Sequence, residues 1–260
     1  MIGAIIGDIV GSIYEWNNHR SKDFEFFGKG CFVTDDSIMT IAVAKALMDC
    51  KGDYSDLSEK AIKAMQELGR PYPNCGFGGS FYNWIYSDNP KPYGSYGNGS
   101  AMRISPVGWL AKDIEQAKWL SKVITEVSHN HPEGIKGAES VAVAIVLARQ
   151  GKTMEEMRKY ITEHYYPIDF TLDEIRDTYQ FNETCQCTVP QAFEAFFEST
   201  SFEDAIRNAI SIGGDSDTLA AITGGIAEVY WGISGDVINL AKVYLDPNLL
   251  DLVNIFDDHC

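Results

Sequence analysis

Two short acidic clusters carry the densest chemistry in the chain: Thr34-Asp35-Asp36 and Asp215-Ser216-Asp217-Thr218. Each stands directly before an apolar stretch with helical spacing, so each reads as the start of a helix. A helix start needs one side-chain oxygen to cap its orphan N–H groups, and the helix dipole favours acidic residues there. Both clusters offer oxygens beyond that need. If the two starts face each other, Asp35, Asp36, Asp215 and Asp217 crowd one small space, where like charges either keep protons or recruit cations. Asp, Thr and Ser oxygens suit hard cations such as Mg²⁺ or Mn²⁺, whereas zinc would draw His or Cys. Gly213 and Gly214 would let the backbone come close to a ligand. Capping and metal binding both remain open from spacing alone, because the opposition of the two starts is not written in it.

Three further segments bear on chemistry. Gly97-Asn98-Gly99-Ser100-Ala101-Met102-Arg103 leads a flexible loop into an apolar, helix-like stretch. Consecutive backbone N–H groups there could take an anion such as phosphate, although a plain turn would explain the same residues. The pattern is neither a P-loop nor a dinucleotide fingerprint. Ser128-His129-Asn130-His131 precedes a helix, so either histidine could be a cap or could bond a phosphate or ribose hydroxyl. Asp8 and Glu15 lie seven apart and fall on one side if the N-terminal segment is helical. Asp8 could then tie down backbone groups while Glu15 faces a cleft. There is no nucleophile elbow and no supported Cys–His pair, so metal-assisted chemistry fits better than a nucleophilic triad.

The elements that must position these groups read as helices throughout. Helical periodicity predicts segments at 37–49, 56–68, 113–127, 135–149, 153–163, 190–198, 202–211 and 217–232, and strand-type alternation is hard to find. The expectation is an all-α fold in one domain over residues 1–260. Residues 70–100 gather Pro, Gly and Tyr into a long irregular stretch of the kind that usually serves function, and 164–185 forms a second. Composition agrees with a globular protein, 45% hydrophobic and 22% charged. A formal charge of -16 disfavours a nucleic-acid backbone or an anionic membrane as partner. The cysteines lack C-x-x-C spacing and read as free thiols. The N-terminal run fails as a signal peptide because Asp8 interrupts it, and the longest apolar stretch, Val141 to Ala148, is too short to span a membrane. A cytoplasmic protein is expected.

At these residues the sequence resembles the ADP-ribosylglycohydrolase family, which includes the dinitrogenase reductase-activating glycohydrolases and the ADP-ribosyl-acceptor hydrolases. The likeness rests on GAIIGDIVGSIYE (3–15), TDDS (34–37), GSYGNGSAMRISP (94–106), SHNHPEGIKGA (128–138) and GGDSDTLAAITGGIAEVYWG (213–232), in that order. It implies a compact multi-helix bundle with two Mg²⁺ or Mn²⁺ ions at the base of a cleft, held by Thr34, Asp35, Asp36, Asp215, Asp217 and Thr218. Ser216 stands where many relatives have Thr. The resemblance further implies that Gly97, Asn98, Gly99 and Ser100, with His129, cradle a diphosphate, that Tyr96 or Tyr93 stacks on adenine, and that Glu15 lies over the metals. The implied activity is hydrolysis of the glycosidic bond between ADP-ribose and an acceptor, either a modified protein side chain, with arginine slightly preferred over serine, or a small conjugate. Asp35, Asp36 and Glu15 are the catalytic candidates. The alternatives are a phosphohydrolase acting on a nucleotide diphosphate and a non-catalytic ADP-ribose-binding member.

Overall fold

A computed structural model describes residues 1–259. Its helices run, in chain order, α1 Ile2–Gly11, α2 Asp35–Asp49, α3 Leu57–Gly69, α4 Gly79–Tyr86, α5 Gly99–Met102, α6 Ser105–Leu110, α7 Ile114–Thr125, α8 Pro132–Arg149, α9 Met154–His164, α10 Leu172–Ile175, α11 Cys185–Phe197, α12 Phe202–Ile210, α13 Ser216–Trp231, α14 Gly235–Lys242 and α15 Pro247–Asp257. Among the described residues, one isolated bridge between Gly97 and Thr184 is the whole of the β structure. The all-α expectation therefore holds. Among the described residues no helix is long and apolar enough to cross a membrane.

The centre of the molecule is the pairing of α1 with α13. Every residue of α1 is buried, including Asp8. Its Gly3, Gly7 and Gly11 recur every fourth position and form one ridge without side chains. A Cβ on Gly7 would run into the Ala220 backbone, and one on Gly11 would lie 2.5 Å from the Cα of Asp217. The two backbones thus touch, and that contact carries the Asp8 carboxylate to the start of α13. Gly7→Ala should destabilise the protein by about 1–3 kcal/mol through overpacking. A denaturant titration checks this, and a midpoint equal to that of the parent would show that the ridge can part.

Helices α2 and α8 flank this pair with long buried faces, from Ile38 to Leu47 and from Ala138 to Ala148. The sequence misjudges four places. Within 70–100, read as irregular, α4 forms because Phe81, Trp84 and Ile85 fall three and four apart on one buried face. Helix α11 begins at Cys185 rather than 190, because Cys185, Thr188 and Val189 are buried and their packing outweighs the backbone bond that Pro190 removes. The C-terminal α14 and α15 were not predicted, although Asp246 caps α15 by accepting from the N–H groups of Asn248 and Leu249. Helix α1 ends at Gly11, so Glu15 belongs to the turn that follows rather than to one face shared with Asp8.

Candidate active site

The two acidic helix starts do face each other. Thr34 caps α2: its Oγ1 accepts from the Asp36 N–H at 3.3 Å and donates to Asp8 Oδ1 at 2.6 Å. Asp8 also accepts from the N–H groups of Thr34 and Ser37, each at 3.1 Å, and from the Ser37 hydroxyl. Asp8 therefore ties the start of α2 to α1, the backbone role read for it from the sequence. At the opposite start, Thr218 Oγ1 donates to Asp36 Oδ2 at 3.3 Å, joining α13 to α2.

Carboxylate oxygens of Asp8, Asp36 and Asp217 lie within 4.8 Å of one another, and so do those of Glu15, Asp215 and Asp217. Asp217 belongs to both groups. None of these carboxylates enters an ion pair among the described residues. Burial, followed by the neighbouring acids, raises Asp35, Asp36 and Asp217 well above the ordinary carboxylate range. Burial likewise pushes Asp8 and Asp215 to about 6, and burial with the Asp217 charge pushes Glu15 to about 8. Acids in such a state hold protons or gather a cation. One atom favours the cation: Asp36 Oδ1 is buried and has no hydrogen-bond partner. The donors are carboxylates with a Thr218 hydroxyl, the set that suits Mg²⁺ or Mn²⁺. Asp35 is only partly buried and lines the open side of the same cavity. Thr34 lies behind Asp36, off the cavity wall, with its hydroxyl engaged as described.

Glu15 is held in place by its neighbours in sequence. Asn18 Oδ1 accepts from the Gly214 N–H at 2.6 Å, and Arg20 donates to the carbonyls of Ile212 and Tyr179 at 3.0 and 2.5 Å. Gly213 and Gly214 have φ of 68° and 79°, where an L side chain is strained and would strike Asn18 or Tyr179. These glycines shape the turn into Asp215 and seat the Glu15 segment against it.

The cavity, about 500 Å³, runs from the acids to the Gly97–Gly99 loop. Bonds from the Asn98 N–H to Glu183 O at 2.7 Å and from the Cys185 N–H to Tyr96 O at 3.0 Å clamp that loop. The 164–185 stretch thus buttresses the loop, a task the sequence did not suggest. Asn98 Nδ2 donates to Asp215 Oδ2 at 2.6 Å, so the loop and the acid cluster are directly joined. Of the two histidines, His131 caps α8 by accepting from the Glu133 N–H at 3.1 Å, while His129 lines the cavity. Ser100 departs from its expected place. Its hydroxyl turns inward to the carbonyls of Gly134 and Gly97, because α5 and α8 pack there, and it does not reach the cavity. Tyr93 and Tyr96 both line the cavity. So do Trp16 and Phe181, stacked with ring centroids 5.0 Å apart, and the fully buried Arg103. Sequence reasoning gave none of these three a role, although Arg103 closes the segment that begins at Gly97. The signal for Arg103 was a lone cation inside an apolar stretch, between Met102 and Ile104.

Residues 1–244 match the family model described as ADP-ribosylglycohydrolase. The chain belongs to the ADP-ribosylglycohydrolase family. It is 24% identical to an ADP-ribosylarginine hydrolase of Pseudomonas putida, over 90% of this chain and 70% of that one. It is also 24% identical to the ADP-ribosylhydrolase ARH3 of Gallus gallus, over 89% and 84% of the two chains, and 22% identical to that of Homo sapiens. Among solved structures, an ADP-ribosylglycohydrolase-related protein complex superposes with a TM-score of 0.68 at 20% identity, covering 98% of this chain and 95% of that one, and so shares the fold. As a member of the ADP-ribosylglycohydrolase family, the protein is a hydrolase of ADP-ribosyl glycosidic bonds in the general sense of that family.

Proposed function

We propose that the protein hydrolyses the bond between C1″ of ADP-ribose and an acceptor, using two divalent cations of the Mg²⁺ or Mn²⁺ class. The observation that carries this reading is the Asp217 carboxylate shared by two acid groups, beside a buried, unpartnered Asp36 oxygen. Asp35, Asp36, Asp215, Asp217 and Thr218 would hold the cations, with Thr34 fixing the start of α2 beneath them. When bound, such ions grip vicinal hydroxyls, lower the pKa of water and stabilise developing charge.

The chain's own residues do the rest. The Gly97–Gly99 backbone and His129 Nε2 hold the diphosphate, and Asn98 keeps that loop in register with Asp215 through their 2.6 Å bond. Asp35, on the open side of the cluster, takes a proton from the attacking water, with Asp36 orienting it. C1″ passes through an oxocarbenium-like state as the acceptor bond breaks, and the acceptor leaves with a proton. Glu15, whose carboxyl stays protonated up to about pH 8 without a cation, closes the cavity above C1″. Adenine stacks on an aromatic of the rim, either Tyr96 or Tyr93 on one side or the Trp16–Phe181 pair on the other. An arginine-linked acceptor is preferred. Glu183 lies close enough to Glu15 for its charge to act there, and with Trp16 it gives a planar cation both a charge and a ring partner. The substrate named for the Pseudomonas putida relative points the same way.

Incubation with arginine- and serine-linked ADP-ribosyl peptides, with and without Mg²⁺, tests the proposal. Free ADP-ribose should appear, faster from the arginine peptide, and release should fall about a hundredfold or more in Asp35→Ala. Release of AMP or phosphate would favour a phosphohydrolase. Binding of ADP-ribose without turnover would mark a non-catalytic member, and release indifferent to both Mg²⁺ and Asp35 would overturn the metal-assisted mechanism.

A further inference from the structure

We propose that Arg103 is a positioning residue: from its buried place in the cavity wall it fixes His129 with its ring proton on Nε2, so that the ring offers an N–H donor to the diphosphate at the Gly97–Gly99 loop. The purpose of that donor rests on the ADP-ribose reading above. The proton placement does not.

Arg103 is completely buried, and no carboxylate pairs with it among the described residues. Its Nε and one terminal nitrogen have no partner, and its guanidinium lies 5.0 Å from the centroid of the Phe81 ring. Burying a lone guanidinium is expensive, and a structural role would be expected to bring an acid partner with it. The remaining nitrogen, NH2, donates to Ser128 Oγ at 2.8 Å and approaches His129 Nδ1 at 3.4 Å. Ser128 Oγ in turn lies 2.8 Å from the same Nδ1.

The proton count on this triangle has one consistent solution. A guanidinium can only donate. Ser128 accepts from it and could accept a second bond, but among the described residues its own proton has no acceptor in reach other than His129 Nδ1, so the hydroxyl donates there. Both neighbours of Nδ1 are then donors, so Nδ1 must present its lone pair. Burial, with the Arg103 charge next, holds His129 well below the usual histidine range, so the ring stays neutral at physiological pH. A neutral ring with a bare Nδ1 carries its proton on Nε2.

That nitrogen faces the loop. Cβ atoms built on Gly97 and Gly99 would sit 3.6 and 3.5 Å from His129 Nε2, so the absence of side chains there leaves room for a ligand against the N–H. The rings beside His129 are Phe81 and Tyr93, at centroid distances of 6.0 and 5.7 Å, and of these Tyr93 is titratable. Burial raises Tyr93 above its ordinary value, so it stays a neutral phenol. The opposite tautomer would point Nδ1–H at Ser128 Oγ, leave the hydroxyl proton without its acceptor and bring two donors together at 3.4 Å, and it would offer a bare Nε2 to an anionic diphosphate, unfavourable at both ends. Arg103 keeps its own charge, since burial lowers its pKa only to about 10.

The test reads the tautomer directly and needs no activity. In ¹⁵N-histidine protein, with the His129 signals identified by their loss in His129→Gln, Nε2 should be protonated and Nδ1 bare from pH 6 to 8. Arg103→Lys, which keeps a donor and a charge, should preserve that pattern and bind ADP-ribose within about threefold of the parent by calorimetry. Arg103→Met should show mixed tautomers or ring protonation in the same range and bind ADP-ribose about tenfold or more weakly, the loss expected for one hydrogen bond to a charged group. A proton on Nδ1 in the parent protein overturns the proposal at once. So does an Arg103→Met protein that keeps the parent tautomer and affinity. If Arg103→Met does not fold, the parent and Arg103→Lys spectra still decide. A parent protein that holds the Nε2 proton yet binds no ADP-ribose would instead overturn the ADP-ribose reading, leaving the proton placement in force.

Discussion

Asp217→Asn is expected to lower ADP-ribose release by about a thousandfold or more, equal to about 4 kcal/mol of transition-state stabilisation, while raising the melting temperature of the cation-free protein. The two effects share one cause. Asp217 is the only carboxylate common to both acid groups, so losing its charge weakens both proposed cation positions together. Asn has the same shape, and its carbonyl can still accept from the Thr218 N–H, as Asp217 Oδ1 does at 3.0 Å, so the start of α13 should survive. In the cation-free fold Asp217 is a liability, held well above the usual range by burial and then by Asp215 and Asp8. Kinetics on the two proteins, with melts in chelator at pH 8, would check both halves. Activity within tenfold of the parent, or a lower cation-free melting temperature in the variant, would contradict the shared-ligand reading.

The second large effect is a pH-dependent response to Mg²⁺. Asp8 and Asp215 move from 3.8 to about 6, and Glu15 from 4.5 to about 8, on folding. A carboxyl raised on folding contributes stability below its unfolded value and loses that contribution as pH rises through its folded value. The cation-free protein should therefore lose stability between about pH 4 and 8, most steeply at about pH 5, where Asp8, Asp215 and Glu15 are protonated in the folded chain and largely ionised in the unfolded one. Mg²⁺ replaces the departing protons. At a hundredfold over its dissociation constant it should add about 2.7 kcal/mol, or about 5–10 °C in melting temperature, at pH 8. At pH 5.5, where protons compete for the same oxygens, the increment should shrink to about a third or less. Thermal melts over pH, with chelator or with Mg²⁺, measure this, and an increment independent of pH would rule out the carboxylates as its source.

Periodicity found the helices whose one apolar face is long, such as α2 and α8, because burial imposes a regular spacing on the sequence. It missed α4 because Gly78, Gly79 and several tyrosines look like loop residues until Phe81, Trp84 and Ile85 acquire something to pack against. The acid clusters were legible as a surplus of oxygens at helix starts, but their opposition was not. That depends on the contact of α1 with α13, whose cause is the absence of side chains at Gly3, Gly7 and Gly11. Ser100 shows the opposite limit. It follows directly on the expected loop, in the first turn of α5, and packing of α5 on α8 turns its hydroxyl to Gly134. Arg103 was visible in the sequence only as an oddity, since its meaning lies in Ser128 and His129, some 25 residues away along the chain.

The bond from Asn98 to Asp215 has a consequence for how the site fills. It gives the Gly97–Gly99 loop, the proposed diphosphate site, and the acid cluster, the proposed cation site, one shared side chain, so an occupant of either end would bias the geometry of the other. Coupling of this kind is thermodynamically reciprocal. If the proposed cations strengthen the grip on ADP-ribose, ADP-ribose strengthens the grip on the cations by the same factor, and departure of the cleaved product then loosens the ions it leaves behind.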